Sequence, residues 1–131
     1  MPVADLGFEL KETRLQDTKN RQNSIELSGL TLNEQNLMEQ WRIKQNDLIR
    51  DAEYAYDWAL SHGIAKEQAR AVLPEGLTVS RLYMQGTLRS WLHYIELRSG
   101  PETQKEHRQV AVACARALES IFPMITEFLV K

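Results

Sequence analysis

The stretch from Thr31 to Gly63 constrains this chain more than any other. Thr31-Leu-Asn-Glu34 has capping-box spacing, and behind it Leu37, Trp41, Leu48, Ala52, Ala55 and Ala59 recur at helical intervals. The pattern predicts a helix over Leu32–Ser61. Gly63 supplies the left-handed position that ends such a helix, and a shorter helix, Ala65–Val72, must stop ahead of Pro74. The two form a helical hairpin. With 131 residues, 43% of them hydrophobic, the chain can bury roughly two-thirds of the surface its unfolded form exposes, enough for one core but not for two independent ones.

Downstream, Leu77-Thr-Val-Ser-Arg-Leu-Tyr-Met84 lies between Gly76 and Gly86, and its branched and aromatic content predicts a short strand. Thr87–Leu97 reads as a helix with Leu88, Trp91, Leu92 and Ile95 on one face and Arg89, His93 and Glu96 on another. Ser99-Gly100-Pro101 reads as a helix start with proline in the first turn. Val110, Ala113, Cys114, Ala117, Leu118 and Ile121 then make an apolar stripe that ends at Pro123, and a last short helix is expected over Met124–Val130. Residues 1–30 show no sustained period and read as an irregular lead-in to a helical part, 31–131. The fold class expected is α+β and helix-rich: a helical hairpin, one short strand and two further core helices.

Charge removes several functions. Sixteen basic against eighteen acidic residues give a net charge of −2, so a generally basic nucleic-acid coat is excluded and any anion must be met by locally placed cations. Cys114, the one cysteine, has no internal disulfide partner, and with His62, His93 and His107 it makes no zinc pattern, so no metal is expected. Asp5 stands where a signal peptide needs basic residues, and no apolar run reaches the ~20 residues of a membrane span. The expectation is a soluble cytoplasmic protein with no membrane partner.

No dinucleotide fingerprint, P-loop, metalloprotease helix or nucleophile elbow occurs. Cys114 falls on the apolar stripe, where a free cysteine behaves as a small hydrophobe rather than a nucleophile. Glu102 and Glu106, with Lys105 and Arg108 around them, read as a solvated charged face. The arginines say more. Ten of the sixteen basic residues are arginine, whose planar fork grips phosphate or a carbonyl in two places. Arg70, Arg81, Arg89, Arg98 and Arg108 fall in one stretch, and the plainer account of them is surface pairing with Glu75 and Glu96.

Their order adds a further reading. Gln68-Ala-Arg-Ala-Val-Leu-Pro74, Gly86-Thr-Leu-Arg89, His93, Leu97-Arg98, Gln104 and Glu106 together resemble the C-terminal half of the flavin-dependent thymidylate synthase family. The resemblance runs from about Arg14 to Val130, and Arg14-Leu-Gln-Asp-Thr-Lys-Asn-Arg-Gln-Asn-Ser24 is similar to a segment of one branch of that family. It implies conversion of dUMP to dTMP with FAD as cofactor, methylenetetrahydrofolate as one-carbon donor and NADPH as reductant, in a homotetramer with shared sites. By resemblance Arg70 binds the dUMP phosphate, Arg98 contacts the uracil ring as the catalytic cation, and Thr87, Arg89 and His93 line FAD. Thr87 replaces a usual asparagine and Glu102 a common histidine. The family's Arg-His-Arg triplet followed by Ser-x-Asn-Glu-x-Ser-x-Arg-Tyr does not occur in this sequence. The chain is therefore expected to be a shortened product or fragment, inactive alone, or to receive that part from another chain. The competing class is a non-enzymatic helical module whose arginines meet nucleic acid or an acidic partner. The order of motifs favours the enzyme, so nucleic acid is not the expected partner.

Overall fold

Helix α1 spans Leu32–Ser61, as its caps dictate. Thr31 is extended and its side-chain oxygen accepts the N–H of Glu34 at 3.2 Å. Glu34 in turn accepts the Ser28 hydroxyl at 2.8 Å, a bond that holds its carboxyl below the usual glutamate range. At the other end Gly63 takes φ +77°. Its N–H meets the Leu60 carbonyl at 3.1 Å and the N–H of Ile64 meets that of Ala59 at 3.0 Å, the paired bonds of a Schellman stop.

The computed structural model describes residues 7–129, and these divide into two units: 7–13 with 27–82, and 14–26 with 83–129. In the first, α1 is followed by α2 (Lys66–Ala69) and 3-10 turns at Arg70–Val72 and Glu75–Leu77. Tyr56, Ala59 and Ala69 are its buried centre, with Phe8, Leu60 and Leu73 packed around them. Thirty residues make a helix about 45 Å long, and this small centre covers only part of it. Of the residues that recur at helical intervals in the sequence, Ala52 and Ala59 are buried, whereas Leu37, Trp41 and Leu48 are exposed. The lead-in segment is held at two places. Phe8 bridges Thr78, with Glu9 N–H on the Leu77 carbonyl at 2.8 Å and Val79 N–H on that of Gly7 at 2.7 Å. The side-chain amide of Gln45, buried on α1, engages the backbone of Lys11.

The strand expected over Leu77–Met84 does not form. Glu75–Leu77 turns as a 3-10 segment, Thr78 makes the single bridge, and no regular structure follows until Leu88. A strand needs a partner ladder, and among the described residues only 7–9 supply one, which leaves Val79, Leu82, Tyr83 and Met84 exposed.

The strands lie instead in the second unit, inside the segment read as irregular. There β1 (Arg14–Gln16) and β2 (Ser24–Glu26) pair antiparallel with Arg14 opposite Glu26, Leu15 opposite Ile25 and Gln16 opposite Ser24. Asp17 organises the connection by accepting the amides of Lys19 at 2.8 Å and Asn20 at 3.2 Å, a side-chain-built turn. Helices α3 (Leu88–Arg98) and α4 (Lys105–Leu118) and a 3-10 segment (Pro123–Phe128) enclose Ile95, Ala115 and Ile125. Pro101 does not open α4. Residues 100–103 close a turn, Thr103 N–H on the Gly100 carbonyl at 3.2 Å, and the helix starts at Lys105. Its buried positions are Ala111 and Ala115, whereas Val110 and Ile121 of the expected stripe are exposed. The final helix is 3-10 and begins at Pro123; Val130 lies outside the described residues. The helix-rich α+β class holds, with the sheet elsewhere than expected. No helix among the described residues is long and apolar enough to cross a membrane.

Candidate functional site

Arg70 sits where α2 passes into the 3-10 turn. Ala69, fully packed beside it, fixes the backbone, and the Leu73 N–H on the Arg70 carbonyl at 3.1 Å closes the turn before Pro74. Arg70 is exposed and edges an open concavity of about 530 Å³ with Ala71, Leu73, Glu75 and Thr78. Glu75 shares the concavity, yet Arg70 forms no ion pair with any described residue.

In the second unit α3 carries the other four candidates. Thr87 is the N-cap: its hydroxyl oxygen accepts the Ser90 N–H at 3.2 Å and lies 2.9 Å from Ser90 Oγ. Leu92 and Ile95 pack into the core, and Trp91 and Tyr94 meet edge to face at 5.8 Å between ring centres. That burial turns Arg89 and His93 outward, four positions apart and therefore side by side. Arg98 does not join them. It ends α3 one turn beyond Tyr94, about half a helical circumference from Arg89. Its charge acts on the Tyr94 hydroxyl, which burial nonetheless holds above the usual tyrosine range.

The arginines thus fall into two groups. Arg14 pairs with Glu106, Arg42 with Glu39, Arg50 with Asp47 and Arg116 with Glu119. Arg70, Arg89 and Arg98 pair with no carboxylate among the described residues, and neither do Arg21, Arg81 and Arg108, so the surface pairing with Glu75 and Glu96 is not what holds them. Cys114 is partly buried beside Ile95 and Ala115, and burial pushes its thiol up, away from the nucleophilic thiolate. The sequence reading missed the pairing of Glu106, taken for a solvated face; nothing local signals a partner in residues 14–26. His107, weighed in the sequence only as a metal ligand, places its ring 5.6 Å from that of Tyr94.

Comparison with known proteins places the chain as a whole. The family described as thymidylate synthase complementing protein matches residues 8–124. The chain belongs to that family. It is 40% identical over 118 residues to the flavin-dependent thymidylate synthase of Synechocystis sp., and 42% identical over 118 residues to the probable flavin-dependent thymidylate synthase of Paramecium bursaria Chlorella virus 1. Each match covers 90% of this chain and 52% of the relative. A flavin-dependent thymidylate synthase of Thermus thermophilus is 33% identical over 117 residues, 89% of this chain and 40% of that protein. The chain spans about half the length of the curated thymidylate synthase relatives it matches.

Proposed function

We propose that this chain takes part in the flavin-dependent conversion of dUMP to dTMP, with methylenetetrahydrofolate as carbon donor, NADPH as reductant and FAD as cofactor, in the cytoplasm. The observation that carries the reading is the family match over residues 8–124; within it Arg70, Arg89 and Arg98 are exposed and, like Arg21 and Arg81, without a carboxylate partner among the described residues. Such a cation is available to an oxyanion ligand without first breaking an ion pair.

Arg70 is the phosphate fork for dUMP, with its backbone fixed by the turn ahead of Pro74. Arg98 faces the uracil ring, where a fixed cation stabilises the charge that develops on a carbonyl oxygen as C5 becomes nucleophilic. Arg89 and His93 fit an anionic flavin nucleotide, one as a permanent donor and the other as a donor on the same helix face. Thr87 contributes less than an asparagine would, because its hydroxyl already caps α3 and it has no amide N–H to offer. FAD, when bound, supplies the methylene relay and the hydride, and no protein nucleophile is required; the raised Cys114 thiol accords with that. Residues 31–131 serve as the C-terminal helical part of the domain, after a 1–30 lead-in. The exposed Leu37, Trp41 and Leu48 of α1 offer an apolar face for a second copy, consistent with a homotetramer.

The test is calorimetric titration of the chain, together with a polypeptide that carries the Arg-His-Arg signature, with dUMP, FAD and a mixed-sequence oligonucleotide. Saturable dUMP binding that persists at raised salt supports the reading. Binding that ignores base identity and falls steeply with salt points to the helical-module alternative.

A further inference from the structure

Two segments singled out in the sequence have no part in the reaction above: the lead-in beginning at Arg14, and Gln104-x-Glu106. They meet in the second unit. Arg14, on β1, pairs with Glu106, and Glu26, opposite Arg14 on β2, pairs with Lys105 at 2.6 Å. We propose that Arg14, Glu26, Lys105 and Glu106 form an ionic clasp that fastens the β1–β2 hairpin to the first turn of α4, and that this clasp decides whether the hairpin is docked.

Three observations carry it. A two-stranded hairpin with three residues per strand is marginal by itself, and its central pair gives little help: Leu15 is 44% and Ile25 48% exposed. Secondly, the charges alternate around a ring. Each strand end holds one sign, each of the first two residues of α4 the other, and the two cross-strand partners are themselves opposite. Such a network fixes geometry better than an isolated surface pair, and its cations are the less exposed members, the side chains of Arg14 at 14% and Lys105 at 22%. Each carboxylate offsets part of the desolvation of the cation it pairs with. Thirdly, a lysine at the first position of a helix opposes the helix dipole. Glu26 offsets that opposition, and the carboxyl of Glu26 is held low chiefly by Lys105, with Arg14 and Arg108 adding to it. The clasp makes docking sensitive to ionic strength, since ion pairs at the surface weaken as the Debye length falls.

The experiment is amide hydrogen exchange on the whole 131-residue chain, wild type against the double variant Glu26→Gln/Glu106→Gln, at low salt and at about 1 M NaCl, where the Debye length is about 3 Å. The expected result is exchange of the 14–26 amides about tenfold faster in the double variant, with Ala111–Ala115 unchanged and the salt response gone. Equal hairpin protection in both proteins, or a wild-type hairpin indifferent to salt, overturns the clasp. If the double variant loses protection throughout, the fourfold exchange Arg14→Glu/Glu26→Arg/Lys105→Glu/Glu106→Lys, which keeps the alternation of sign, decides: hairpin protection near wild type supports the clasp, and its loss beside an intact α4 overturns it.

Discussion

The side-chain amide of Gln45 is paired with the backbone of Lys11 on both sides: its oxygen accepts the Lys11 N–H at 2.6 Å and its nitrogen donates to the Lys11 carbonyl at 3.1 Å. Buried in the middle of α1, it does what a neighbouring strand would do, and so lets the lead-in lie along the helix without orphaned backbone groups.

Replacement of Gln45 by leucine keeps the volume and removes both bonds. Two backbone groups then lose their partner in a part-buried place, and the expected cost is about 1–3 kcal/mol. Urea unfolding of the variant checks it. The Gln45→Glu variant retains an acceptor for the N–H but faces the carbonyl with a second oxygen, so it should recover only part of the loss; full recovery would show that the carbonyl bond contributes nothing.

Local features of this fold were legible in the sequence. The Thr31 cap, the Gly63 stop and both ends of α1 follow from side chains within a few residues of one another. The failures share one cause, dependence on distant partners. Leu77–Met84 has strand composition, but only residues 7–9 are there to pair with it. Residues 14–26 lack a readable period because three residues of alternation are too few, and their pairing depends on Asp17 and on charges from α4. Pro101 suits either a first helical turn or a tight turn, and the bond of the Thr103 N–H to the Gly100 carbonyl shows that it takes the second. At the candidate site, the Arg89–His93 face was predicted by helical spacing. Whether Arg70 and Arg98 pair with a carboxylate depends instead on where Glu75 and Glu96 point.

Arg70→Ala should weaken dUMP binding about tenfold to a hundredfold while FAD binding changes little, because the loss falls on a charge-assisted phosphate contact. Arg70→Lys should fall between, since an ammonium keeps the charge but loses the planar fork. Calorimetry on an assembly that binds dUMP separates the three proteins. Unchanged affinity in the alanine variant would remove Arg70 from the site.

Burial raises the Cys114 thiol, and the sign of its effect on stability follows. The unfolded thiol ionises first as pH rises, so the contribution of Cys114 is fully present below the ordinary thiol pKa and is lost as pH climbs through the raised value. Cys114→Ala should therefore flatten part of the alkaline fall in melting temperature; what remains includes Tyr94, also raised by burial. Alkylation of native Cys114 near neutral pH should be slower than that of a free thiol. Any dTMP-forming activity should survive the substitution with its pH dependence intact, and complete loss of turnover in a folded variant would mean that a protein nucleophile is used.

The last prediction concerns the 131-residue polypeptide assayed by itself. The Arg-His-Arg signature does not occur in it, and it spans 52% of its two relatives from Synechocystis sp. and Chlorella virus 1. A flavin nucleotide presents a pyrophosphate and a ring system at once, and fixing it costs translational, rotational and side-chain freedom that many oriented contacts must offset. On the proposed assignment Arg89 and His93 would supply two donors, and Thr87, whose hydroxyl caps α3, would add little. Arg70 can still hold a nucleotide phosphate weakly, because a single guanidinium fork needs no second half of a pocket. The polypeptide should therefore retain little FAD through gel filtration and form no detectable dTMP. Activity should appear when a polypeptide carrying the signature is added. Tritium release from dUMP labelled at C5, with FAD, methylenetetrahydrofolate and NADPH present, measures both cases; robust release by the 131 residues alone would show that Arg70, Arg89, His93 and Arg98 suffice without the signature.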